Sequence, residues 1–177
     1  MPGRDFNTNT ANHDEWLTPP DIIKALGDFD LDPCAPVNRP WDMAKKHYTV
    51  QDNGLHLPWE GRVWLNPPYG RETFKWMERL AEHKNGTALI FARTETAGFH
   101  AQIWNKATAI FFFKGRLKFH YVDGRQGGTA NAPSCLVAYN AANAFHILKA
   151  YLDGTIKGHF IWLISKEYFP CPPMNPL

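Results

Sequence analysis

Residues 61–69 read GRVWLNPPY, an apolar run that leads directly into two successive prolines. A second apolar run, TALIFA, occupies positions 87–92, and the segment between the two runs, 72–83, has the spacing of an amphipathic helix. Continuous apolar runs are typical of strands that are buried on both faces of a sheet. Strands of this kind that alternate with helices predict an α/β fold around a mostly parallel sheet.

The same alternation continues on both sides of this stretch. Thr18-Pro19-Pro20 is interpreted as a helix start with Thr18 as the N-cap, and Asn85-Gly86 as the end of the helix at 72–83. The patterns predict further strands at 29–32, 108–113, 134–139 and 159–165, and further helices at 97–107 and 140–152. The last three strands need not all be parallel. We expect one domain over 14–169, with a flexible polar arm at 1–13 and a Pro-rich tail at 170–177.

Composition narrows the class of protein. A chain of 177 residues with 44% hydrophobic and 20% charged residues can bury a core, and this composition is not typical of disorder. The formal net charge of +2 gives weak support for a nucleic-acid partner. Three widely spaced cysteines argue against a disulfide framework or a zinc site and are typical of a reducing cytosol.

The sequence contains no motif for several kinds of functional site and no targeting or membrane-spanning segment. The eight histidines are scattered and suggest no metal-ligand set, and there is no P-loop or GxSxG motif. We find neither a signal peptide nor an apolar run of membrane-spanning length. We therefore expect a cytoplasmic protein that has no membrane span and needs no metal.

The loop Asn66-Pro67-Pro68-Tyr69 has the residue types that could hold an aromatic amine. Two prolines fix φ and remove two backbone donors, which leaves outward-pointing carbonyls that are free to accept hydrogen bonds. The exocyclic amine of a nucleobase is a poor nucleophile because its lone pair is delocalised into the ring. If the Asn66 side chain and the Pro67 carbonyl accepted both amine hydrogens, that lone pair would be freed, and Tyr69 could stack on the base. The alternative is a Pro-rich turn followed by a core tyrosine.

Five segments, in this order and spacing, resemble the phage-type DNA N-6-adenine methyltransferases, which belong to the amino-methyltransferases with an NPPY-like motif. These segments are WLTP at 16–19, LDPCA at 31–35, DNGL at 52–55, VWLNPPY at 63–69 and GRLKF at 115–119. The resemblance covers roughly 15–139. It implies a Rossmann-like methyltransferase fold with helices on both faces of the sheet, S-adenosylmethionine as methyl donor, and adenine in double-stranded DNA as acceptor. It also implies that Asn66, Pro67, Pro68 and Tyr69 are the catalytic residues.

The resemblance implies a set of cofactor-binding residues as well. Asp32-Pro33-Cys34-Ala35 is similar to the family's cofactor loop, in which an acidic side chain suits the ammonium of the methionine part, although it lacks the commoner Gly-x-Gly. A helix-capping turn is the alternative. Cys34 next to Pro33 could also suggest the nucleophile of a cytosine-C5 enzyme, but transfer to an amine needs no covalent thiol.

Two further cofactor contacts are predicted on either side of this loop. Asp52 has the spacing from Asp32 of a carboxylate that holds ribose hydroxyls, and related enzymes place a contact to the cofactor's adenine in a similar position. The alternative is a turn residue in Asp-Asn-Gly. Trp16, Thr18 and Pro19 resemble the segment that folds over the methionine end of the cofactor, and the alternative for them is an ordinary helix entry.

A basic stretch at 115–128 is the predicted DNA-binding region. Its cationic or titratable side chains Arg116, Lys118, His120 and Arg125 are interleaved with aromatic residues, a combination that suits phosphate contact and base stacking. Arg93, just after the strand at 87–92, is expected on the same side. The alternative for the stretch is a solvated hairpin.

These observations together predict a site-specific DNA adenine-N6 methyltransferase that acts on a flipped-out adenine, and the resemblance suggests a phage that protects its genome from restriction. Other planar amines remain open as acceptors: RNA adenine, cytosine N4 or a protein glutamine. A non-catalytic DNA-binding module with a degenerate fold is the alternative from another class. Little of the chain is left for a separate recognition domain, which favours a short recognition sequence, low specificity or a second subunit. The oligomeric state stays open.

Overall fold

A computed structural model describes residues 15–163. The arm predicted at 1–13 and the tail predicted at 170–177 lie outside these residues. The helices are α1 (Pro20–Leu26), α2 (Thr73–His83), the short α3 (Ala97–Phe99), which continues into a π-helical turn (His100–Trp104), and α4 (Ala141–Leu152). The strands are β1 (Leu31–Asp32), β2 (Lys46–His47), β3 (Val63–Leu65), β4 (Gly86–Phe91), β5 (Ala109–Phe113), β6 (Lys118–His120), β7 (Gln126–Thr129), β8 (Ser134–Tyr139) and β9 (Gly158–Trp162).

Seven of these strands form one mixed sheet in the order β2-β1-β3-β4-β8-β5-β9. The pairs β2–β1, β1–β3 and β3–β4 are parallel, whereas β4–β8, β8–β5 and β5–β9 are antiparallel. Strands β1 to β5 therefore run in one direction, and β8 and β9 run against them. The prediction of an α/β fold with a mostly parallel sheet is confirmed.

Successive residues of the central strands pack into two different apolar clusters. Val63 of β3 packs in a cluster that contains Leu80 of α2. Trp64, the next residue along the strand, packs in a second cluster that contains Leu26 of α1 and Ile147 of α4. All five residues are buried, and side chains at successive strand positions point to opposite faces of a sheet. This explains why β3 and β4 are apolar without interruption in the sequence.

Several predicted boundaries are wrong in detail. Thr18 is not the N-cap of α1; Pro19 occupies that position without a side-chain cap, and Thr18 is fully buried. Helix α2 ends at His83, as predicted, but its left-handed C-cap is Lys84, at φ 59°, and not Asn85-Gly86, since Gly86 already begins β4. The helix predicted at 97–107 is three residues of α3 and a π-helical turn, in which the Asn105 amide donates to the His100 carbonyl.

Two elements were not predicted as such. Strand β2 is only two residues long and has an exposed lysine, so no apolar run marks it. The basic stretch at 115–128 contains an antiparallel hairpin formed by β6 and β7, which make a second, two-stranded sheet. The alternative interpretation of this stretch as a hairpin therefore describes its backbone correctly.

The topology brings the predicted functional loops to one edge of the sheet. Because β1 and β3 are parallel neighbours, the residues that follow them, Pro33 and Asn66, lie at the same edge, as does Ala92 after β4. In open sheets of this kind, ligands bind beyond the carboxyl ends of the parallel strands. No helix within residues 15–163 is long and apolar enough to cross a membrane.

Candidate active site

A cavity of about 290 Å³ lies beyond the carboxyl ends of β1 and β3. It is lined by all four residues of the Asn66-Pro67-Pro68-Tyr69 loop, by all four of Asp32-Pro33-Cys34-Ala35, and by Trp16. Residues up to 61 positions apart in the sequence, Glu15 and Trp76, thus line one site. The other lining residues are Glu15, Pro36, Met43, Thr49, Val50, Asn53, Gly54 and Trp76.

The Asn66 side chain is held in one orientation. Its Nδ2 donates to the backbone carbonyl of Trp16 at 3.0 Å, and its Oδ1 lies 3.4 Å from the Tyr69 hydroxyl, a long hydrogen bond. A carbonyl accepts and never donates, so the amide nitrogen must face Trp16. The Asn66 oxygen is therefore turned away from Trp16, and within residues 15–163 the Tyr69 hydroxyl is the one donor that reaches it.

The carbonyls of the first three loop residues differ in their partners. The Asn66 carbonyl accepts from the Cys34 thiol at 3.2 Å, and the Pro68 carbonyl accepts from the Thr73 hydroxyl at 2.8 Å. The same hydroxyl accepts from the Gly70 amide at 2.9 Å, so Thr73 ties the loop to the first turn of α2. The expectation that the loop's carbonyls are free is wrong for Asn66 and Pro68. Among residues 15–163, no hydrogen-bond donor reaches the carbonyl of Pro67.

The Tyr69 ring is flanked by two phenylalanines. Phe91 stacks on one of its faces, with ring centroids 4.0 Å apart and planes 15° apart. Phe119 of β6 approaches with its ring nearly perpendicular at 6.4 Å. Burial raises the pKa of Tyr69 well above its usual value, so its hydroxyl remains a neutral donor. Because Phe91 covers one face, a planar ligand can stack only on the other.

Asp32 is a buried carboxylate with few partners. It is 1% exposed, and its Oδ1 accepts from the Cys34 amide at 3.1 Å. Within the described part of the chain this is the one hydrogen bond of the carboxylate. Burial raises the pKa of Asp32 to about 7, because desolvation disfavours the charged form and a single amide compensates only in part. A cation bound in the cavity would restore the charged form.

Three predicted cofactor residues do not line the cavity. Thr18 is fully buried, and its hydroxyl has no partner among residues 15–163. Pro19 lies beside it as the N-cap of α1. Asp52 is exposed, and its Oδ2 accepts from the Thr49 amide at 2.7 Å and the Thr49 hydroxyl at 2.8 Å. The structure thus places Asp52 as a turn residue, which was its alternative interpretation, and its contact with a cofactor stays a prediction.

Residues beside Asp52 line the cavity instead, and the sequence interpretation missed them. They are Thr49, Val50, Asn53 and Gly54. A Cβ on Gly54 would overlap the Pro33 carbonyl oxygen, so only glycine lets this turn pack against the Asp32 loop. The Asp-Asn-Gly sequence was the available signal, but it pointed to Asp52 rather than to its neighbours.

The predicted DNA-binding side chains lie on the same side of the sheet as the cavity, and they differ in exposure and in their partners. Arg93, Arg116 and Lys118 are exposed. Arg125 is exposed as well but pairs with Asp123 at 2.7 Å. His120 is half-buried, and its ring meets that of Trp41 edge-on at 5.3 Å. The first three are therefore the more accessible cations for a phosphate backbone.

Metal binding has no support in residues 15–163, because no three His, Cys, Asp or Glu side chains are grouped so as to hold an ion. The cysteines at positions 34 and 135 are free thiols, and burial raises the pKa of both. Neither is activated as a nucleophile, because the reactive form is the thiolate.

Comparison with known proteins agrees with the resemblance seen in the sequence. Residues 5–150 match the family model described as DNA N-6-adenine-methyltransferase (Dam). No curated protein and no solved structure that we compared matches the chain. The matched range includes both loops of the cavity and the hairpin, and it covers well over half of the chain. The chain therefore belongs to the DNA N-6-adenine-methyltransferase family.

Proposed function

We propose that the protein transfers a methyl group from S-adenosylmethionine to N6 of an adenine that is flipped out of double-stranded DNA at a specific site. Membership of the family implies DNA adenine methyltransferase activity. We add to this the methyl donor, the duplex substrate, the site specificity and the flipping of the base. One observation carries it. Asn66, Pro67 and the buried Asp32 line one cavity, and within residues 15–163 the Asn66 side-chain oxygen and the Pro67 carbonyl have spare accepting capacity.

The residues of the cavity fit S-adenosylmethionine. Asp32 would pair with the ammonium of its methionine part, which supplies the cation that this carboxylate lacks. Trp16 and the loop at 33–35 would contact the rest of the methionine part. When bound, the cofactor supplies a sulfonium methyl carbon, whose bond to sulfur breaks with the electron pair leaving on sulfur as nitrogen attacks.

The catalytic loop prepares the amine. The Asn66 Oδ1 and the Pro67 carbonyl oxygen each accept one hydrogen of the adenine amine, which favours a pyramidal nitrogen with a localised lone pair. Both oxygens also stabilise the positive charge that grows on this nitrogen during attack. Attack leaves the methylated N6 positively charged and acidic, and it then releases one proton to solvent water. No thiol or metal is needed for these steps.

Tyr69 would receive the extruded base on the face that Phe91 leaves open. Stacking on an aromatic side chain contributes about 1–3 kcal/mol per base, and extrusion costs roughly a few kcal/mol. Stacking and the two amine hydrogen bonds together can therefore offset the cost of extrusion. Arg93, Arg116 and Lys118, exposed on the cavity side, would contact the phosphates.

The fold supports the same proposal. A sheet whose parallel strands end at the cavity, with α2 in one apolar cluster and α1 and α4 in the other, is what a Rossmann-like methyltransferase domain with helices on both faces requires. We place the reaction in the cytoplasm of a bacterial or phage-infected cell, where its DNA substrate is found. Protection of a phage genome from restriction would be its purpose.

Transfer of a radiolabelled methyl group tests the proposal directly. Purified protein is incubated with labelled S-adenosylmethionine and, in parallel, with plasmid DNA, RNA or protein. We expect label in DNA only, and base-resolution mapping of N6-methyladenine should then show methylated adenines in a short common sequence. Label in RNA or protein, or methylation at cytosine N4, would contradict the proposed acceptor. No binding of the cofactor in calorimetry would point to a non-catalytic DNA-binding module.

A further inference from the structure

The hairpin β6–β7 is attached to the body of the protein at Trp16 and Leu17. Leu17 and His120 exchange two backbone hydrogen bonds, each 2.9 Å long. The ring of Trp16 lies 4.9 Å from that of Tyr121, tilted by 37°. Leu17 itself is fully buried in the core. The hairpin therefore holds this segment both by its backbone and by the Trp16 ring.

Gly127 of β7 lets the hairpin approach Trp16 closely. A Cβ at this position would lie 2.9 Å from Cζ3 of the Trp16 ring and 3.0 Å from the Phe119 carbonyl oxygen, so one of these neighbours would have to move. A Cβ on Gly128, the next residue of the same strand, would have nothing within 4 Å. The two glycines thus differ in their contact with Trp16.

Trp16 connects this hairpin to the catalytic loop. Its backbone carbonyl accepts from the Asn66 Nδ2 at 3.0 Å and so decides which end of that amide faces the rest of the cavity. If the amide turned over, it would present two donors to an amine that is itself a donor. The Asn66 oxygen can accept from the substrate only while Trp16 stays in place.

We propose that the hairpin positions the catalytic amide: by holding Trp16, it fixes the carbonyl that orients Asn66, and Gly127 is a positioning residue for methyl transfer. This inference rests on the proposed function. The hairpin then contributes to the chemical step, in addition to any contact that its basic side chains make with DNA.

Single-turnover methylation of duplex DNA, with cofactor and DNA both saturating, tests this role with Gly127→Ala and, as its matched control, Gly128→Ala. We expect the transfer rate of Gly127→Ala to fall by about tenfold to a hundredfold, since a displacement near 1 Å at a reacting group costs up to about a hundredfold. Gly128→Ala should transfer at the wild-type rate. Dissociation constants for DNA, measured separately, should stay unchanged in both variants, because a merely structural hairpin would lose DNA affinity instead.

A double variant identifies the contact. Trp16→Phe removes the ring atoms that a Cβ at position 127 would meet. We expect Gly127→Ala to cost much less in the Trp16→Phe background than in the wild type, a coupling that only interacting residues show. Equal losses in both backgrounds would assign the effect to the Phe119 carbonyl and overturn the proposal. If Gly127→Ala alone does not fold, the double variant is compared with Trp16→Phe: a folded double variant that transfers at the Trp16→Phe rate supports the contact, and one that still does not fold overturns the proposal.

The possible results distinguish the positioning role of Gly127 from the proposed methyltransferase function. A wild-type rate for Gly127→Ala, or a loss confined to DNA affinity, would overturn the positioning role while the enzyme stands. Failure of the wild-type protein to methylate DNA at all would instead contradict the proposed function.

Discussion

Two polar side chains are almost completely buried at opposite edges of the sheet, and their surroundings differ. Asn143 of α4 is 0% exposed at the edge where β4 begins. Its Nδ2 donates to the Asn85 and Asn140 side chains and to the Tyr139 carbonyl at 3.0–3.1 Å. Its Oδ1 accepts from the Arg62 guanidinium at 2.7 Å.

Asp32 is as deeply buried at the edge where β1 ends, yet one amide is the single hydrogen-bond partner of its carboxylate among residues 15–163. A buried polar group that lacks partners costs free energy, whereas a fully bonded one contributes rigidity. The hydrogen bonds of Asn143 therefore contribute to stability, and we expect a bound ligand to pair with Asp32. Variants at the edge around Asp32 should therefore change activity, whereas variants at the edge around Asn143 should change stability.

The largest effect is expected at the catalytic amide. Asn66→Ala removes the acceptor for one amine hydrogen, and turnover should fall by about a hundredfold to a thousandfold, as for loss of one donor from an oxyanion hole. Cofactor affinity should stay nearly intact, since Asp32 is untouched. Steady-state methylation and calorimetry measure the two quantities. Near wild-type turnover would show that the Asn66 oxygen has no part in the reaction.

Asp32→Asn should act on cofactor binding. The neutral amide has nearly the same shape but cannot pair with an ammonium, and loss of a charged hydrogen bond of about 1.5–3 kcal/mol corresponds to roughly tenfold to a hundredfold in affinity. The melting temperature at pH 8 should not fall, because an uncompensated buried charge is removed. Calorimetric titration and thermal unfolding test both expectations. Unchanged cofactor affinity would remove Asp32 from the binding site.

Asn143→Ala is the matched change at the opposite edge. It removes the acceptor of the Arg62 Nε–H and one of the two side-chain donors to the Asn85 Oδ1, and each unsatisfied buried group costs about 1–3 kcal/mol. The free energy of unfolding, measured by urea denaturation, should fall accordingly. The folded fraction should bind the cofactor with wild-type affinity. A variant that keeps its stability but binds the cofactor poorly would reverse the proposed division between the edges.

The pH dependence of binding should follow Asp32. Its pKa is raised from 3.8 to about 7, and a bound cation favours the charged carboxylate. Affinity for S-adenosylmethionine should therefore rise with pH through 7 and level off above it. For the free protein the sign is opposite, because the folded state binds this proton more tightly than the unfolded chain, so stability falls as pH rises from 3.8 towards 7. In Asp32→Asn both dependences should flatten; an unaltered pH profile would assign them to another group.

The smallest effect is expected at the hairpin surface. Arg116→Gln and Lys118→Gln each remove one exposed cation, and the slope of DNA affinity against salt should fall by about 1 for each phosphate that the variant no longer binds. The transfer rate at saturating DNA should be unchanged, in contrast to Gly127→Ala. Filter binding over a salt series gives the slopes. Identical slopes in the variants and the wild type would place the phosphates elsewhere.

The sequence predicted what local patterns determine. Strand β8 (Ser134–Tyr139) has the predicted bounds, because an uninterrupted apolar run needs a doubly buried strand. The loop at 66–69 was found because two prolines follow such a strand. Thr18 shows the limit of a local pattern: the residue before two prolines suggests a cap, but tertiary packing buries it.

The parts of the site that were missed depend on contacts between distant segments. Gly54 lines the cavity because it fits against the Pro33 carbonyl, and the local sequence of neither segment predicts that contact. The partner of the Asn66 amide is a backbone carbonyl, a group that every residue carries, so no residue type could have marked Trp16 for this role.

The two hydrogen bonds of the Thr73 hydroxyl have a consequence for how a base in DNA could reach the loop at 66–69. One oxygen joins the Pro68 carbonyl and the Gly70 amide to the start of α2, so the catalytic loop is mounted on a helix whose inner side is packed in the core. Such a loop has little freedom to reach into a duplex. If the protein acts as proposed, the adenine must therefore leave the duplex to reach a loop that the protein already holds in place.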